Sequence, residues 1–248
     1  MADTAGTARA LVIPALIVAL GIAVGGLFAG AGVARIRTAD RTVTARGVAE
    51  RDAKADLAIW PLRLVATDDD LTRASAGLER SVGAVRAFLK EQGLDGADTE
   101  VSVQEFSVQD QRTTGNYQQG SRYIIRQTLV VRATNVDRVQ AASQRVPDLV
   151  RNGVVLSSGQ EWGGGGPTFI FTGLNSIKPP MIAEATARAR EAAEQFARDS
   201  KSSLAGIRRG SQGSFEILPR DQAMGISEAS QVVKKVRVVT TVEYALKN

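Results

Sequence analysis

The chain contains no cysteine and no histidine. Without a thiol it can form no cysteine nucleophile, disulfide, thiolate zinc site or lipidated N-terminal cysteine. Without an imidazole, a Ser-His-Asp triad and a histidine-carboxylate iron site are excluded as well. Only carboxylate, hydroxyl and amine groups remain for catalysis, and none lies in a recognised nucleophile motif. The sequence therefore predicts that the protein is not an enzyme and binds no cofactor or metal ion.

Aromatic residues are also scarce, at 5% of the chain. The net charge is +5, but acidic residues are interspersed among the basic ones. Proteins that bind nucleic acids usually concentrate basic residues on one face and add aromatic side chains on which bases stack. We therefore expect no nucleic-acid partner. Hydrophobic residues at 44% and charged residues at 23% are typical of a folded chain.

An uncharged run of 24 residues, Leu11–Ala34, follows an N-terminal tail of residues 1–10. As a helix it would be about 36 Å long, enough to cross a hydrocarbon core of about 30 Å. Ala29-Gly30-Ala31 resembles a signal-peptide cleavage site, so cleavage and secretion are the alternative. The run is longer than the apolar core of a signal peptide, which has about 7–15 residues. The sequence therefore favours an uncleaved, single-pass membrane anchor.

Four glycines in this run have the spacing of membrane helices that pack closely. Gly21 and Gly25 form one small-xxx-small pair, and Gly26 and Gly30 form a second. Such pairs let two helix backbones approach each other within a membrane. The alternative is that glycine is simply common in transmembrane helices. Helix packing at these four residues is the functional interpretation, and the composition alone accounts for them equally simply.

The charges that flank the run predict an orientation. Arg35, Arg37 and Arg41 follow it, whereas Arg9 alone precedes it. Under the positive-inside rule the C-terminal region would then lie in the cytoplasm.

After a polar linker of residues 35–40, the region 41–248 alternates between strand and helix patterns. Predicted strands are Thr42–Glu50, Asp56–Ala66, Glu100–Gln109, Arg122–Ala133, Val154–Gln160, Thr168–Thr172, Ile207–Leu218 and Gln231–Leu246. Predicted helices begin at Thr67, at Asn135 and at Met181, the last extending to Ser203. The order β-β-α-β-β-α-β-β-α-β-β is typical of an α+β fold with mostly antiparallel sheets packed with three helices.

Several local features support these assignments. Thr67 and Asp70 have the spacing of a capping box. The helix that follows them carries an apolar stripe of Leu71, Ser75, Leu78, Val82, Val85 and Leu89. Pro61 predicts an edge or a bulge in the second strand. The last helix is expected to bury Met181, Ala185, Ala189, Ala192 and Phe196.

Three stretches resemble the SIMPL-domain family. They are Val43–Glu50, which resembles the family's V-x-G-x-A-E strand with Ala45 in place of its valine, then Lys54-Ala55-Asp56-Leu57-Ala58, and the Ala-rich helix Ala183–Ser203. The closing strand with Val236, Val238, Val242 and Tyr244 is similar too. The resemblance covers about residues 40 to 248. It implies an α+β envelope protein in the bacterial inner membrane with its domain in the periplasm, ring-like homo-oligomers and a link to stress tolerance. It brings no catalytic residue.

The remaining candidate sites each have a simpler explanation. Gly163–Gly166 lacks the lysine and following helix of a phosphate loop and predicts a flexible hairpin loop. Asp68–Asp70 lacks the ligand spacing of a calcium loop and suits a helix cap. Glu161 beside Trp162 could stack on a sugar, but no second carboxylate is evident, and a tryptophan at the edge of a loop more often packs locally or at an interface. Arg122, Arg126 and Arg132 share one strand face, either as an interface for an anionic partner or as a solvated face.

Three functions therefore remain. The first is a membrane-anchored, non-enzymatic envelope protein that self-assembles through its SIMPL-like domain, with the candidate interface residues Arg122, Arg126, Arg132 and Trp162. The second is a periplasmic module that binds a ligand or lipid, which an apolar pocket would support. The third is an envelope enzyme based on carboxylate, serine or lysine groups, which two converging carboxylates would support. The partners of the first are the membrane and further copies of the chain.

Overall fold

The computed structural model describes residues 19–27, 41–113, 120–157 and 166–247. Residues 19–27 are helical and form the described part of α1. The strands are β1 Thr42–Lys54, β2 Leu57–Asp68, β3 Thr99–Asp110, β4 Tyr123–Ala133, β5 Thr168–Ile170, β6 Ser203–Gln212, β7 Glu216–Pro219 and β8 Val233–Lys247. The further helices are α2 Leu71–Glu91, α3 Val136–Gln144, α4 Val146–Arg151 and α5 Leu174–Asp199, with a short 3-10 helix at Glu228–Ser230.

These elements confirm the α+β class with antiparallel sheets, but the prediction of three helices was wrong. One four-stranded sheet has the order β1-β8-β6, with β7 also paired to β8, and the other has the order β3-β4-β2-β5. The described chain divides into two compact units. The first comprises residues up to Val48 together with Ile182–Gly213 and Val239–Asn248, and the second comprises Ala49–Met181 and Ser214–Val238. The predicted boundary of one domain at 41–248 stays a prediction.

The second unit is built on the sheet β3-β4-β2-β5. Alternate residues of β2, from Ala58 through Trp60 to Leu64, point to its core and are buried. Ile125, Leu129 and Val131 of β4 join them, as the two-residue period of that strand predicted. Helix α2 covers this face with Ala74, Leu78, Val85, Phe88 and Leu89. Leu71, which was expected in the stripe, is 44% exposed because it lies in the first turn beyond the sheet contact.

The start of α2 differs from the predicted one. β2 continues through Thr67 to Asp68, with Thr67 paired to Ile124 of β4. Asp70 is the N-cap, and its side chain accepts a hydrogen bond from the backbone N–H of Arg73 at 2.9 Å. The cap is therefore Asp70 itself, because Thr67 is held in the sheet and cannot begin the helix.

The β3–β4 hairpin is confirmed, and its irregularity lies where the sequence did not indicate one. The register is antiparallel from Thr99↔Ala133 to Asp110↔Tyr123, with a shift between Val103 and Glu105. The sequence predicted an edge or a bulge at Pro61, and the structure shows the edge without a bulge, because Pro61 pairs with Val130 in an unbroken β2–β4 register. β5 pairs with Leu57–Ile59 of β2 only, so Pro61 lies beyond that pairing, where a strand tolerates a missing N–H.

The segment from Asn135 to Thr172 also departs in part from the prediction. The Asn135 side chain caps α3 by accepting from the Arg138 N–H at 3.2 Å, and Pro147 lies in the first turn of a separate helix, α4. Val154–Gln160 and Thr168–Thr172 were expected to pair with each other. Within the described residues, each joins β2 instead, β5 as a strand and Leu156 through an isolated bridge to Leu64.

The first unit packs the C-terminal part of α5 on the beginning of β1 and the end of β8. Ala189 and Ala193 lie in its core with Val43, Val242 and Tyr244. The buried positions of α5 run in steps of four, so Ala193 and Ala197 replace the expected Ala192 and Phe196, and Phe196 is 53% exposed. A Cβ at Gly47 of β1 would overlap backbone atoms of Ala185 and Ala189. The helix thus approaches the strand so closely that only alanines fit between them.

Two further boundaries were wrong. Helix α5 begins at Leu174 and includes Pro179 and Pro180, which were predicted to precede it. Their missing N–H groups leave the carbonyls of Asn175 and Ser176 without the usual acceptor role in this first part of the helix. The predicted strand Ile207–Leu218 is two strands, β6 and β7, which pair with different parts of β8. The apolar face predicted for β8 is confirmed, because Val236, Val238, Thr240, Val242 and Tyr244 are buried.

Most of the predicted anchor Leu11–Ala34 lies outside the described residues. In residues 19–27, the part that is described, the chain is helical and exposed, with Leu20 at 66% and Leu27 at 74%. Among the described residues, no helix is long and apolar enough to cross a membrane.

Candidate interaction surface

The described residues leave an apolar surface uncovered on β3, the end strand of the sheet in the second unit. The register places Val103, Phe106 and Val108 opposite Leu129, Gln127 and Ile125 of β4. These three β3 residues therefore point to the same side as the core. They are nevertheless 53%, 61% and 47% exposed. We call Val103, Phe106 and Val108 the β3 stripe.

The β3 stripe is exposed because α2 packs on the neighbouring strands β2 and β4. Helix α2 packs on β2 and β4, where Leu129 and Ile125 are both 1% exposed. Val101, at the other end of β3, still packs against this core. The remaining apolar residues of β3 lie one strand further out, and large apolar side chains grouped at a surface often mark an interaction site.

The opposite face of β3 is polar. After the shift in register, Glu105 and Ser107 lie opposite Thr128 and Arg126 of β4. The Thr128 hydroxyl donates a hydrogen bond to Glu105 Oε2 at 3.5 Å. β3 is thus apolar on the face that continues the core and polar on the opposite face, as expected for the alternating residues of a strand in an antiparallel sheet.

Arg122, the first residue of the predicted basic face, is engaged with the β3–β4 hairpin. Its Nη2 lies 2.9 Å from Asp110 Oδ2, and its Cζ lies 4.6 Å from the ring centroid of Tyr123. Its backbone N–H donates to Asp69 Oδ1 at 2.9 Å. Hydrogen bonding from the guanidinium lowers the pKa of the Asp110 carboxyl below its ordinary value. Arg122 thus closes the hairpin end rather than offering an unpaired charge.

The other predicted interface residues do not form a cluster with Arg122. Arg126 Nη1 donates to Gln109 Oε1 at 3.1 Å, and Arg132 lies opposite Glu100 in the register. Along the strand, Arg122 and Arg132 are about 33 Å apart at 3.3 Å per residue. The face therefore alternates basic residues with acidic and amide partners. Trp162, Glu161 and Gly163–Gly165 lie outside the described residues.

The three consecutive aspartates are used by the backbone, as the capping interpretation predicted. Asp68 Oδ1 accepts from the Asp70 N–H and from Arg73 Nε, both at 2.9 Å. These bonds lower the pKa of the Asp68 carboxyl, the Arg73 side chain contributing most, and raise the pKa of Arg73 in return. Among the described residues, no group of three or more acidic side chains is placed to hold a metal ion.

A groove lies beside α2 in the second unit. Its volume is about 390 Å³, and it is bounded by the end of β2, by the middle of α2 and by residues 152–155. Apolar and polar groups line it together, including Val65, Ala84, Val154, Arg80, Ser81 and Asn152. Its size is at the lower end of the range for small-molecule sites.

Sequence reasoning missed the burial of Lys234 at the start of β8. Its side chain is fully buried, and its Nζ lies 2.6 Å from Glu228 Oε1 and also donates to the Glu228 carbonyl oxygen. Lys234 shares the face of Val236 and Val238, so extending the alternation of β8 by one pair would have placed it inside. The pair fastens the 3-10 helix to β8 and lies apart from the β3 stripe in sequence and in the sheet.

For Gly21, Gly25 and Gly26, a Cβ would meet no atom within 4 Å, and Gly30 lies outside the described residues. The role of the four glycines in membrane packing stays a prediction.

Comparison with known proteins gives one extensive match. Residues 43–244 match the profile of the family described as SIMPL, protein of unknown function (DUF541). No curated protein is matched by the chain. Among solved structures, an amidase of the hydantoinase/carbamoylase family from Burkholderia phymatum is 20% identical, with a TM-score of 0.25 over 54% of this chain and 32% of that one. A hydrolase from Listeria innocua is 12% identical, with a TM-score of 0.18 over 80% and 91% of the two chains.

Proposed function

Because the chain belongs to the SIMPL family, whose function is unknown, we propose that it is a non-enzymatic assembly protein of the bacterial envelope. Copies associate through the SIMPL domain, and Leu11–Ala34 anchors them in the inner membrane with the domain in the periplasm. The link to stress tolerance that the family resemblance implies is part of this proposal.

The observation that carries the assembly role is the β3 stripe. Val103, Phe106 and Val108 are each about half exposed or more, although they continue the core face of the sheet. They lie on an end strand, whose outer backbone groups are suited to pair with another chain. Burial of apolar area contributes about 25 cal/mol per Å², so covering these residues favours association.

The non-enzymatic part of the proposal rests on the amino-acid set. The chain has no histidine and no cysteine, and its shifted carboxyl groups, Asp68 and Asp110, are each bonded to an arginine. Two carboxyl groups that work as acid and base need environments that separate their pKa values in one cleft. Both Asp68 and Asp110 have lowered pKa values and occupy hairpin and helix ends, where their hydrogen bonds serve the backbone.

The anchor and its orientation rest on the sequence. The uncharged length of Leu11–Ala34 supports a membrane-spanning helix. The periplasmic orientation follows the family resemblance and opposes the count of Arg35, Arg37 and Arg41 behind the run. We place more weight on the resemblance, because three arginines form a short signal.

The assembly role is tested by the mass in solution, measured by light scattering. The full chain is extracted in mild detergent, and a truncated chain that begins at Thr38 is measured beside it, with circular dichroism to confirm folding. We expect both to form defined species of several copies. A folded monomer for the truncated chain would refute assembly through the domain, and any association left in the full chain would point to Gly21–Gly30.

A second function, a ligand-binding module, is favoured by the groove beside α2. Its mixed lining suits a small amphipathic anion, with Arg80 facing the charge. The probe is 1-anilinonaphthalene-8-sulfonate, and the variant is Gly77→Leu, because Gly77 lines the groove. Gly83→Leu is the matched control, since a Cβ there meets no atom within 4 Å. Equal probe fluorescence in both variants would contradict binding in this groove.

A further inference from the structure

We propose that β3 pairs with β3 of a second copy of the chain, antiparallel, about a twofold axis between Gln104 and Glu105. This inference rests on the proposed function, because it names the partner and the surface through which the domain assembles. In this register the numbers of two paired residues add up to 209. Ser102 of one copy therefore faces Ser107 of the other, and Val103 faces Phe106.

The edge of β3 is placed to accept such a partner. β3 is twelve residues long and ends the sheet order β3-β4-β2-β5. Among the described residues, β4 is its one neighbouring strand. A long end strand presents a row of N–H and C=O groups to a further strand, and such strands are normally shortened, charged or covered when they must stay unpaired. β3 carries two glutamates, Glu100 and Glu105, and no lysine or proline between Thr99 and Asp110.

The sequence of β3 has the symmetry that self-pairing requires. The eight residues VSVQEFSV, from Val101 to Val108, read nearly the same in both directions in chemical type. A twofold axis at their centre sets valine against valine, serine against serine, Val103 against Phe106 and Gln104 against Glu105. An interface about a twofold axis joins one surface patch to itself, so each patch must be complementary to its own inverted copy.

Charge disfavours two of the alternative registers. Glu100 faces Gln109, and Glu105 faces Gln104, so no carboxylate stands directly opposite another. A shift of the axis onto Glu105 would place the two Glu105 residues opposite each other. A shift that pairs Glu100 with Glu105 would oppose carboxylates twice. Like charges directly across a strand pair are destabilising, so charge disfavours both of these alternatives. An axis on Gln104 would set Val103 of the core face against Glu105 of the polar face, whereas the proposed register pairs residues of the same face.

The faces of the two sheets also agree. A twofold axis perpendicular to the sheet keeps both core faces on one side, and it joins two four-stranded sheets into one of eight strands. Val103 of each copy then lies beside Phe106 of the other, at a spacing of about 5 Å between Cβ atoms. The β3 stripe is thereby covered by the same stripe of the partner.

The bulge at Gln104 is compatible with this arrangement. The shift between Val103 and Glu105 falls at the axis, where the two bulges meet. Val101–Val103 and Phe106–Val108 lie on either side of it in regular register with β4. The bulge bends the strand locally, and the pairing is made by the regular segments that flank it.

Cysteine cross-linking tests the proposal on the full chain in detergent, because the chain has no cysteine of its own. The double variant Ser102→Cys/Ser107→Cys places two cysteine pairs across the axis. The single variants Ser102→Cys and Ser107→Cys are the matched controls. In the proposed register identical residues are about 17 Å apart at 3.3 Å per residue, whereas a disulfide needs Cα atoms within about 7 Å.

Under mild oxidation the double variant should give mostly covalent dimers, each single variant almost none, and a mixture of the two singles an intermediate yield. Efficient cross-linking of either single variant would overturn the register. Absence of dimers in the double variant, with circular dichroism unchanged from the wild type, would overturn pairing through β3.

The same samples separate this inference from the proposed function. If light scattering shows several copies of the wild-type chain that begins at Thr38 but the double variant does not cross-link, the domain assembles through a surface other than β3. If the wild type is monomeric, assembly itself fails, and the β3 pairing fails with it. Cross-linked dimers together with a multiple-copy mass confirm both.

Discussion

Gly47 is the position where one methyl group should have the largest effect on the first unit. A Cβ there would lie well inside 3.0 Å of the Ala185 carbonyl oxygen and the Ala189 nitrogen, and 3.0 Å from the Ala185 carbonyl carbon. These are backbone atoms of α5, so no side-chain rotation relieves the overlap. Helix α5 or strand β1 must move by about an ångström, and the row of alanines from Ala185 to Ala193 would lose contact with β1 and β8.

Forced overpacking of this kind costs about 1–3 kcal/mol, and the upper end applies when backbone rather than side chains must move. We expect Gly47→Ala to lower the free energy of unfolding by about 3 kcal/mol. At 2–4 °C per kcal/mol for a chain of this size, the melting temperature should fall by about 6–12 °C. Gly83→Ala is the matched control, since a Cβ at Gly83 on α2 meets no atom within 4 Å. It should be stabilising by about 0.5–1 kcal/mol, because alanine favours the helix.

The assay is urea denaturation of the full chain in detergent, followed by far-ultraviolet circular dichroism. Both variants exchange glycine for alanine, so the unfolded chain loses similar freedom in each, and the difference between them reports the contact at Gly47. A Gly47→Ala variant as stable as the wild type would show that α5 does not rest on β1 at this residue. The packing described for the first unit would then be wrong.

Three further predictions concern single side chains and the membrane. Asp110→Asn should lower stability at pH 6, and its deficit should shrink as the pH falls below the ordinary carboxyl pKa of 3.8. The lowered pKa of Asp110 gives stability that is present above its unfolded pKa and is lost as the folded carboxylate is protonated. A deficit in urea midpoint that is constant with pH would contradict this. Lys234→Ala should lower the free energy of unfolding by about 3 kcal/mol, and Lys234→Met should lower it by less than about 1 kcal/mol. The reason is that methionine fills the volume without a buried charge and Glu228 can be hydrated. Equal melting temperatures for the two variants would refute the packing argument. A cysteine at the exposed Ser230 should react with a membrane-impermeant maleimide in intact cells; labelling only after lysis would place the domain in the cytoplasm, as the flanking arginines predict.

The feature predicted best from the sequence is the two-residue alternation of the long strands. β4 and β8 each alternate over more than ten residues, so the side chains that share a face followed from position alone. The faces that are buried agree with the apolar set in both strands. The alternation of β8 extends to Lys234. Burial of a lysine is not expected from the sequence, because it is tolerable only with a partner, which here is Glu228.

The ends of helices and strands were harder to predict, because competing sequence signals were equally strong at the same place. Thr67 and Asp70 both offered a cap, and pairing with Ile124 on β4, more than fifty residues away, decided between them. Leu156 and β5 carry strand-like residues, and their common neighbour β2 decided what each pairs with. Such choices depend on contacts distant in the chain, which no local period contains.

The candidate surface shows the same division. The sequence placed Val103, Phe106 and Val108 in a strand. Their exposure depends on the packing of α2, which contacts β2 and β4. The predicted basic face is less available to a partner, because the side chains of Arg122 and Arg126 donate hydrogen bonds to Asp110 and Gln109 of β3. A strand pattern therefore identifies which residues lie together, and the neighbouring elements decide which of them remain available to a partner.

The sequence by itself determined the missing chemistry, the uncharged N-terminal run, the α+β class and the family resemblance, because these depend on composition and on short periods along the chain. The tertiary structure alone decided that α5 rests on Gly47 through alanines spaced four apart, that Lys234 lies inside, and that β3 is left at the end of its sheet. Whether a residue is buried depends on the elements that pack against it, and these elements are brought together only when distant segments of the chain have folded.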